Sequence, residues 1–379
     1  MTISRRALMA GTAGGAGILV TGAFPTLAEA KPTFGPPPTR SRLPFPALVD
    51  DPDGILALPS GFSYQVLTKA GETPLDAGGS CPGSHDGTAV FGHGRHQYLI
   101  LNHECDAGDP MGVPHVPGTV YDTGATGGGG CTVVQTDGKG NNHGQFVGIS
   151  GTISNCAGGP TPWGTWWTCE EATARAGDGW ENEDSGASGV FAQDHGYVFE
   201  VFGDGQANPV PLKALGRYDH EACAISKDGR FVFLSEDADE PNGLFYRWAG
   251  PRGYRVGPGS AAQLSSSSFG TLAAMSILLD DGSVLADVAY LTSSQLGRPF
   301  KVKWVEVPNR DANVVEVREQ FADGEVTRGR KFEGVWGTDE GVYVVTPTHW
   351  RRATTYLSTQ CHTAAWCGST TTRTKRFSS

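Results

Sequence analysis

The chain has 379 residues, including 54 glycines and 24 prolines, and only 18% of it is charged. Nine tryptophans and 17 phenylalanines exclude global disorder, and glycines without a three-residue period exclude collagen. The net charge of −11 divides into +1 over residues 1–30, +5 over residues 350–379 and −17 over the body between. Such a body repels nucleic acid, and it suits either solubility or carboxylates committed to cations.

Residues 1–30 read as an export signal. Ser4-Arg5-Arg6-Ala7-Leu8 precedes a soft apolar stretch from Ala10 to Phe24, and Ala28-Glu29-Ala30 gives the small-x-small pattern of a cleavage site. Paired arginines before a weak apolar region point to the twin-arginine machinery, which exports folded and metal-loaded proteins. The apolar stretch is too short and too glycine-rich for a stable membrane anchor. The mature chain is expected to start near Lys31 and to be soluble in a periplasmic or extracellular setting. Residues 31–50 are Pro-rich and are expected to wrap the surface.

Residues 51–349 read as an all-β domain. Short strand-like runs recur: Gln97–Leu101, Gly164–Thr168, Gly196–Val201, Phe231–Ser235, Leu244–Trp248 and Val342–Thr346. Asp228-Gly229 and Asp281-Gly282 mark hairpin turns, where glycine tolerates positive φ. This spacing suits the blades of a β-propeller better than a sandwich. In a propeller, polar residues distant in sequence meet in one central channel. Residues 350–379 break the pattern: from residue 353 on there are eight threonines, four serines and no acid. The neighbouring reading frame can spell a turn-plus-strand string there, so the tail reads as a frameshift product that would leave the last blade incomplete; the other reading is a natural disordered tail.

Four segments could carry chemistry. Asn102-His103-Glu104 ends a strand, with His85-Asp86-Gly87 upstream. The run Asn155 to Glu171 closes on Cys169-Glu170-Glu171. A thiolate beside carboxylates calls for a cation among them; the other reading is a disulfide cysteine next to exposed acids. Trp163, Trp166 and Trp167 read as core and channel-wall residues. In Gly216–Cys223, Arg217 offers a fork for phosphate or carboxylate, and Glu221 shares its side of a strand; the other reading is a surface pair. Asp237-Ala-Asp239 lacks the glycine and final glutamate of an EF-hand, although single carboxylates there can still bind calcium. Lys331 and Glu333 share a strand face. No nucleophile elbow, phosphate loop, dinucleotide fingerprint or HExxH is present. The six cysteines before the tail, Cys81, Cys105, Cys131, Cys156, Cys169 and Cys223, include no CxxC.

The runs CAGGPTPWGTWWTCEE, GRYDHEA, EDADEPNGLFYRW and KFEG occur in this order, and the chain resembles the PhoX-type alkaline phosphatases over most of residues 40–347. The WGTWxTCEE stretch is the specific part; the twin-arginine leader and ILNHE fit as well. The resemblance implies a six-bladed propeller with an iron (Fe3+) and calcium cluster in its channel, and phosphomonoester hydrolysis outside the cytoplasmic membrane. It implies Cys169 as an iron ligand and Glu221 and Glu333 as metal-bridging carboxylates. Glu171, Asp237 and Glu104 would be further iron or calcium ligands. Arg217 would hold substrate phosphate beside Lys331, where better-studied members carry an arginine; lysine keeps the charge without the bidentate fork. The chain is short for the family and lacks a matching C-terminal end. Two other readings stand beside this one. One is a calcium-dependent propeller hydrolase of another kind, lactonase or phytase-like. The other is a non-catalytic binding propeller with Cys169 in a disulfide.

Overall fold

The computed structural model describes residues 46–349, apart from residues 94, 95, 293 and 296, together with the backbone of the strands Ala16–Thr21, Ala353–Thr359 and Ala365–Thr371. The rest of the segment read as a signal, the Pro-rich segment up to residue 45 and the remainder of the tail lie outside the described residues.

The fold is all-β, built from antiparallel sheets; the only α-helical turn among the described residues is Ala261–Leu264. Strands β1 (His85–His93), β2 (His96–His103), β3 (Gly129–Thr136) and β4 (Asn142–Thr152) form a four-stranded meander. Strands β5 (Asn155–Pro160), β6 (Trp166–Glu170) and β7 (Val198–Val201) form a second sheet in the order β7-β6-β5. The third sheet contains β8 (His220–Ile225), β9 (Phe231–Glu236), β10 (Phe245–Ala249), β11 (Thr271–Leu278) and β12 (Pro299–Glu306). It continues through β13 (Val335–Gly337), β14 (Val342–His349), β15 (Ala353–Thr359) and β16 (Ala365–Thr371), in the order β8-β9-β10-β11-β12-β16-β15-β14-β13. Two strands therefore fall in the tail that the sequence pattern reads as a break. Threonine favours strands, so a threonine-rich segment keeps β character even without alternating apolar residues.

Turn chemistry explains the β8–β9 hairpin. Gly229 has a φ of +67°. Its N–H donates to Ser226 O at 2.8 Å, and Ser226 N closes the loop on Phe231 O at 2.9 Å. The period-two alternation of the inner strands feeds two cores at once. Trp166 enters a core with Ile100, Val133 and Phe199, whereas Trp167 enters another with Leu234, Tyr246 and Trp248. Likewise Phe233 and Phe245 face a third cluster, with Met275, Ile277 and Phe332, opposite Leu234 and Tyr246. Strands β6, β9 and β10 are thus covered on both faces, which sheets stacked one behind another require.

That stacking needs backbones at close quarters, and β5 is where it is tightest. A Cβ on Gly158 would lie 2.0 Å from Trp167 O, and one on Gly159 would lie 2.0 Å from Cys223 O. From the other side, a Cβ on Gly87 would lie 2.8 Å from Cys156 O. The glycines let β5 slot between β1 and β8 and so bring Cys156 to both. A Gly159→Ala substitution is expected to cost ~3 kcal/mol or more, because the clash is with backbone on a neighbouring sheet; thermal unfolding of the purified variant measures it.

Candidate metal centre

Three hairpins deliver side chains to one point by the same construction. Antiparallel pairing puts the start of one strand beside the end of the next. His85 pairs with His103, Asn155 with Glu170 and His220 with Glu236. One residue further along each strand come Asp86 and Glu104, Cys156 and Glu171, and Glu221 and Asp237. Each hairpin also carries a register shift at this place: between His85 and Thr88, between Thr168 and Glu170, and between His220 and Cys223. A bulge re-aims a side chain, and here bulges sit at the ends that hold the acids.

Two groups of donor atoms result, each with all its members within 4.8 Å of one another: Cys156, Glu171 and Glu221, and Glu221, Asp237 and Glu333. Glu221 joins the two. The Cys156 thiol donates to Glu221 Oε2 at 3.1 Å. Glu333 comes from the segment before β13. Its N–H donates to Val345 O at 2.8 Å, and its carbonyl accepts from Ser235 Oγ at 2.8 Å. Ser235 Oγ also accepts from Ala222 N at 3.1 Å, so one hydroxyl ties β8, β9 and the Glu333 segment together. Lys331 Nζ lies 3.1 Å from both Asp237 oxygens, on a backbone with φ of +55°. An L-residue in that region is strained and persists only where its surroundings hold it.

Electrostatics sets what the centre can do. Burial pushes Glu221 up to about 8, and Glu333, Asp237 and Asp86 push in the same direction. Asp86, open to solvent on one side, is raised to about 7 by partial desolvation and by Glu104, with which it shares a hydrogen bond. Burial, followed by Glu221 and Glu171, holds the Cys156 thiol well above its usual value. Two ionised carboxylates ~4 Å apart repel by ~4 kcal/mol at an effective dielectric of ~20. Lys331, held on Asp237, is one charge and cannot by itself balance Asp86, Glu104, Glu171, Glu221, Asp237 and Glu333. The donor set fits cations. The thiol end offers the mixed sulfur and oxygen ligands of a transition ion, and the oxygen-only group suits a hard ion.

The structure separates the residues singled out in the sequence. It brings Glu171, Glu221, Asp237 and Glu333 together, with Lys331 on Asp237 and Glu104 on Asp86. Cys169 is a member of neither donor group. Two residues after Trp167, it shares that residue's face and enters the same apolar core, where its thiol lies against Cys223. The thiol among the acids is Cys156. Arg217 is bonded to backbone. It is 1% exposed, and its guanidinium donates to the carbonyls of Asp311, Ala312, His195 and Ala174. With its donors spent on backbone, it pins the 311–312 turn. Asp239 meets Arg330 at the surface at 3.2 Å. Asn102 and His103 are fully buried and structural: Asn102 Nδ2 donates to Ala157 O at 2.7 Å, and His103 contacts Gly83 O and Thr132 Oγ1. All six described cysteines are unbridged and buried. Sequence reasoning gave Cys156 no role of its own and named Asp86 only as part of His85-Asp86-Gly87, although the glycines after each announce close backbone approach.

The family model for alkaline phosphatase PhoX matches residues 43–365. The chain therefore belongs to the PhoX alkaline phosphatase family, whose members are metal-dependent phosphatases. No curated protein and no solved structure matches it. No helix among the described residues is long and apolar enough to cross a membrane.

The raised carboxylates fix a sign. A group whose value is higher in the folded state than in the unfolded one contributes stability below its unfolded value and loses it as pH rises through the folded value. Glu221 and Asp86 titrate at about 8 and about 7 when folded. Chelator-treated protein should therefore lose several degrees of melting temperature between pH 6 and 8.5, and added divalent cation should abolish the loss.

Proposed function

We propose that the protein is an exported phosphomonoesterase that works at an iron and calcium centre in the channel of a β-propeller, with the three sheets supplying blades. The observation that carries this reading is the meeting of Cys156, Glu171, Glu221, Asp237 and Glu333 from separated segments, with Asp86 and Glu104 beside them and Lys331 on Asp237. Cys156, Glu171 and Glu221 are the residues for iron, since thiolate with carboxylate suits a transition ion. Glu221, Asp237 and Glu333, with Asp86 and Glu104 beside them, are the residues for calcium, which takes oxygen ligands. Cys156 takes the role that the family resemblance gives to Cys169. A thiol among the donors also speaks against a hydrolase that uses calcium alone. Twin-arginine export to a periplasmic or extracellular site belongs to the same reading, because a buried cluster is most readily loaded before export.

Bound there, the ions supply positive charge against phosphoryl oxygens and activate water for attack on phosphorus. The chain's own contribution is positional. Glu221 reaches both donor groups and fixes their separation. Asp237 holds Lys331 Nζ at the edge of the cluster, from which the ammonium can meet an anionic substrate. Arg217, occupied by carbonyls, takes no part in phosphate binding; Lys331 is the cation that does.

Elemental analysis of the purified mature protein tests the reading: iron with calcium at defined stoichiometry is expected, and calcium without iron points to another hydrolase. Cys156→Ala should lose iron and lower kcat on an aryl phosphate by ~1,000-fold, whereas Cys169→Ala should keep its iron. Iron content unchanged in Cys156→Ala would overturn the ligand assignment. Replacing Lys331 by Met should raise KM ~10-fold or more, and Lys331→Arg should recover most of it.

A further inference from the structure

Behind the metal centre lies a second set of ionisable groups that phosphate chemistry does not use. Glu170, His195 and Asp122 have side chains with no solvent exposure. His195 Nδ1 lies 2.7 Å from Glu170 Oε1, and its Nε2 lies 3.1 Å from Asp122 Oδ2. Burial alone would lower the histidine, but Glu170 and Asp122 carry it up to about 9, so it stands as an imidazolium between two carboxylates. Tyr121 and Phe191 pack on its ring, and Arg217 caps its carbonyl.

The carboxylates reach further. Glu170 Oε1 accepts from Ile153 N at 3.1 Å, and Oε2 accepts from Gly196 N and Tyr197 N at 2.8 and 3.0 Å. Asp122 accepts from Gly124 N, Ala192 N and Gln193 N at 2.6, 2.9 and 3.0 Å. Ile153 lies three residues before Cys156, and Glu171 follows Glu170 directly. Between them, Ser154 has a φ of +46°, and its carbonyl accepts from Glu171 N at 3.0 Å. One buried carboxylate therefore grips the chain just ahead of Cys156 and just behind Glu171.

We propose that Glu170, His195 and Asp122 are positioning residues for the metal centre: together they set the separation of the Cys156 thiol and the Glu171 carboxylate. This rests on the metal-centre reading above. Groups that orient ligands without touching the ion typically govern 10- to 100-fold in affinity, and this network is anchored at every end to backbone N–H groups.

The test is a titration of Co2+ into chelator-stripped full-length protein, followed by the thiolate-to-cobalt charge-transfer absorption, which reports on Cys156. Asp122→Asn and His195→Gln are compared with wild type and with Leu264→Ala, a cavity variant at a buried leucine that belongs neither to the network nor to the donor groups. Glu170→Gln keeps two acceptor-side contacts and serves if the first two fail to fold. The network variants should bind Co2+ 10- to 100-fold more weakly, with less charge-transfer intensity per bound ion. Leu264→Ala should melt at lower temperature but bind as wild type. Network variants with wild-type affinity and absorption, whatever their melting temperature, would leave the network merely structural and overturn the proposal. Wild-type protein without the absorption would overturn the metal-centre reading, and the network's role with it.

Discussion

Mutual repulsion among carboxylates is the constraint from which the rest follows. Cys156, Glu171 and Glu221 form one tight group and Glu221, Asp237 and Glu333 another, beside the hydrogen-bonded pair Asp86 and Glu104, with Lys331 on Asp237. Such a cluster does not assemble because it is stable; the scaffold must hold it against its own charge. The double-sided cores behind β6, β9 and β10 supply that scaffold, as do the glycines that let β5 pass between its neighbours. The price is a chain with little tolerance for added volume at Gly87, Gly158 or Gly159.

The centre is also modular. Three hairpins each give two donors from equivalent positions, and each has a register shift there. A symmetric placement of unlike residues allows one construction to offer sulfur at one hairpin and oxygen at the others. Only Cys156 breaks the run of carboxylates, and it does so where β5 is most closely enclosed. The chemistry is thus differentiated by side chain, while the geometry is supplied by repetition.

Much of this was legible in the sequence, for physical reasons. Short β-branched and aromatic runs between Asp-Gly turns declare strands, and the β8–β9 hairpin follows from Gly229 at positive φ. The gathering of Glu221, Asp237 and Glu333 was anticipated through the family resemblance rather than through any local pattern. The surroundings of Cys169 and Arg217 are non-local, so the sequence does not show them. Whether Cys156 or Cys169 meets the acids depends on strand alternation and on the shift between Thr168 and Glu170, which no residue type announces. Arg217 is captured by carbonyls at residues 311 and 312, and a carbonyl has no signature in a sequence. The Glu170–His195–Asp122 network was hidden likewise, since His195 lies 25 residues from Glu170 and 73 from Asp122 and meets them through folding alone.

The six described thiols, buried and unbridged, bear on the protein's history as well as its chemistry. Sealed in cores, they are kept from oxidants by the packing around them, and the protection lasts only as long as the fold. Six cysteines admit fifteen complete pairings, and none of these is drawn on in the folded chain. In oxidising surroundings, each excursion to the unfolded state exposes the thiols to cross-linking in arrangements the native packing cannot accommodate. The lifetime of the molecule is then set by how rarely it opens, and durability becomes a matter of unfolding rate rather than of equilibrium stability.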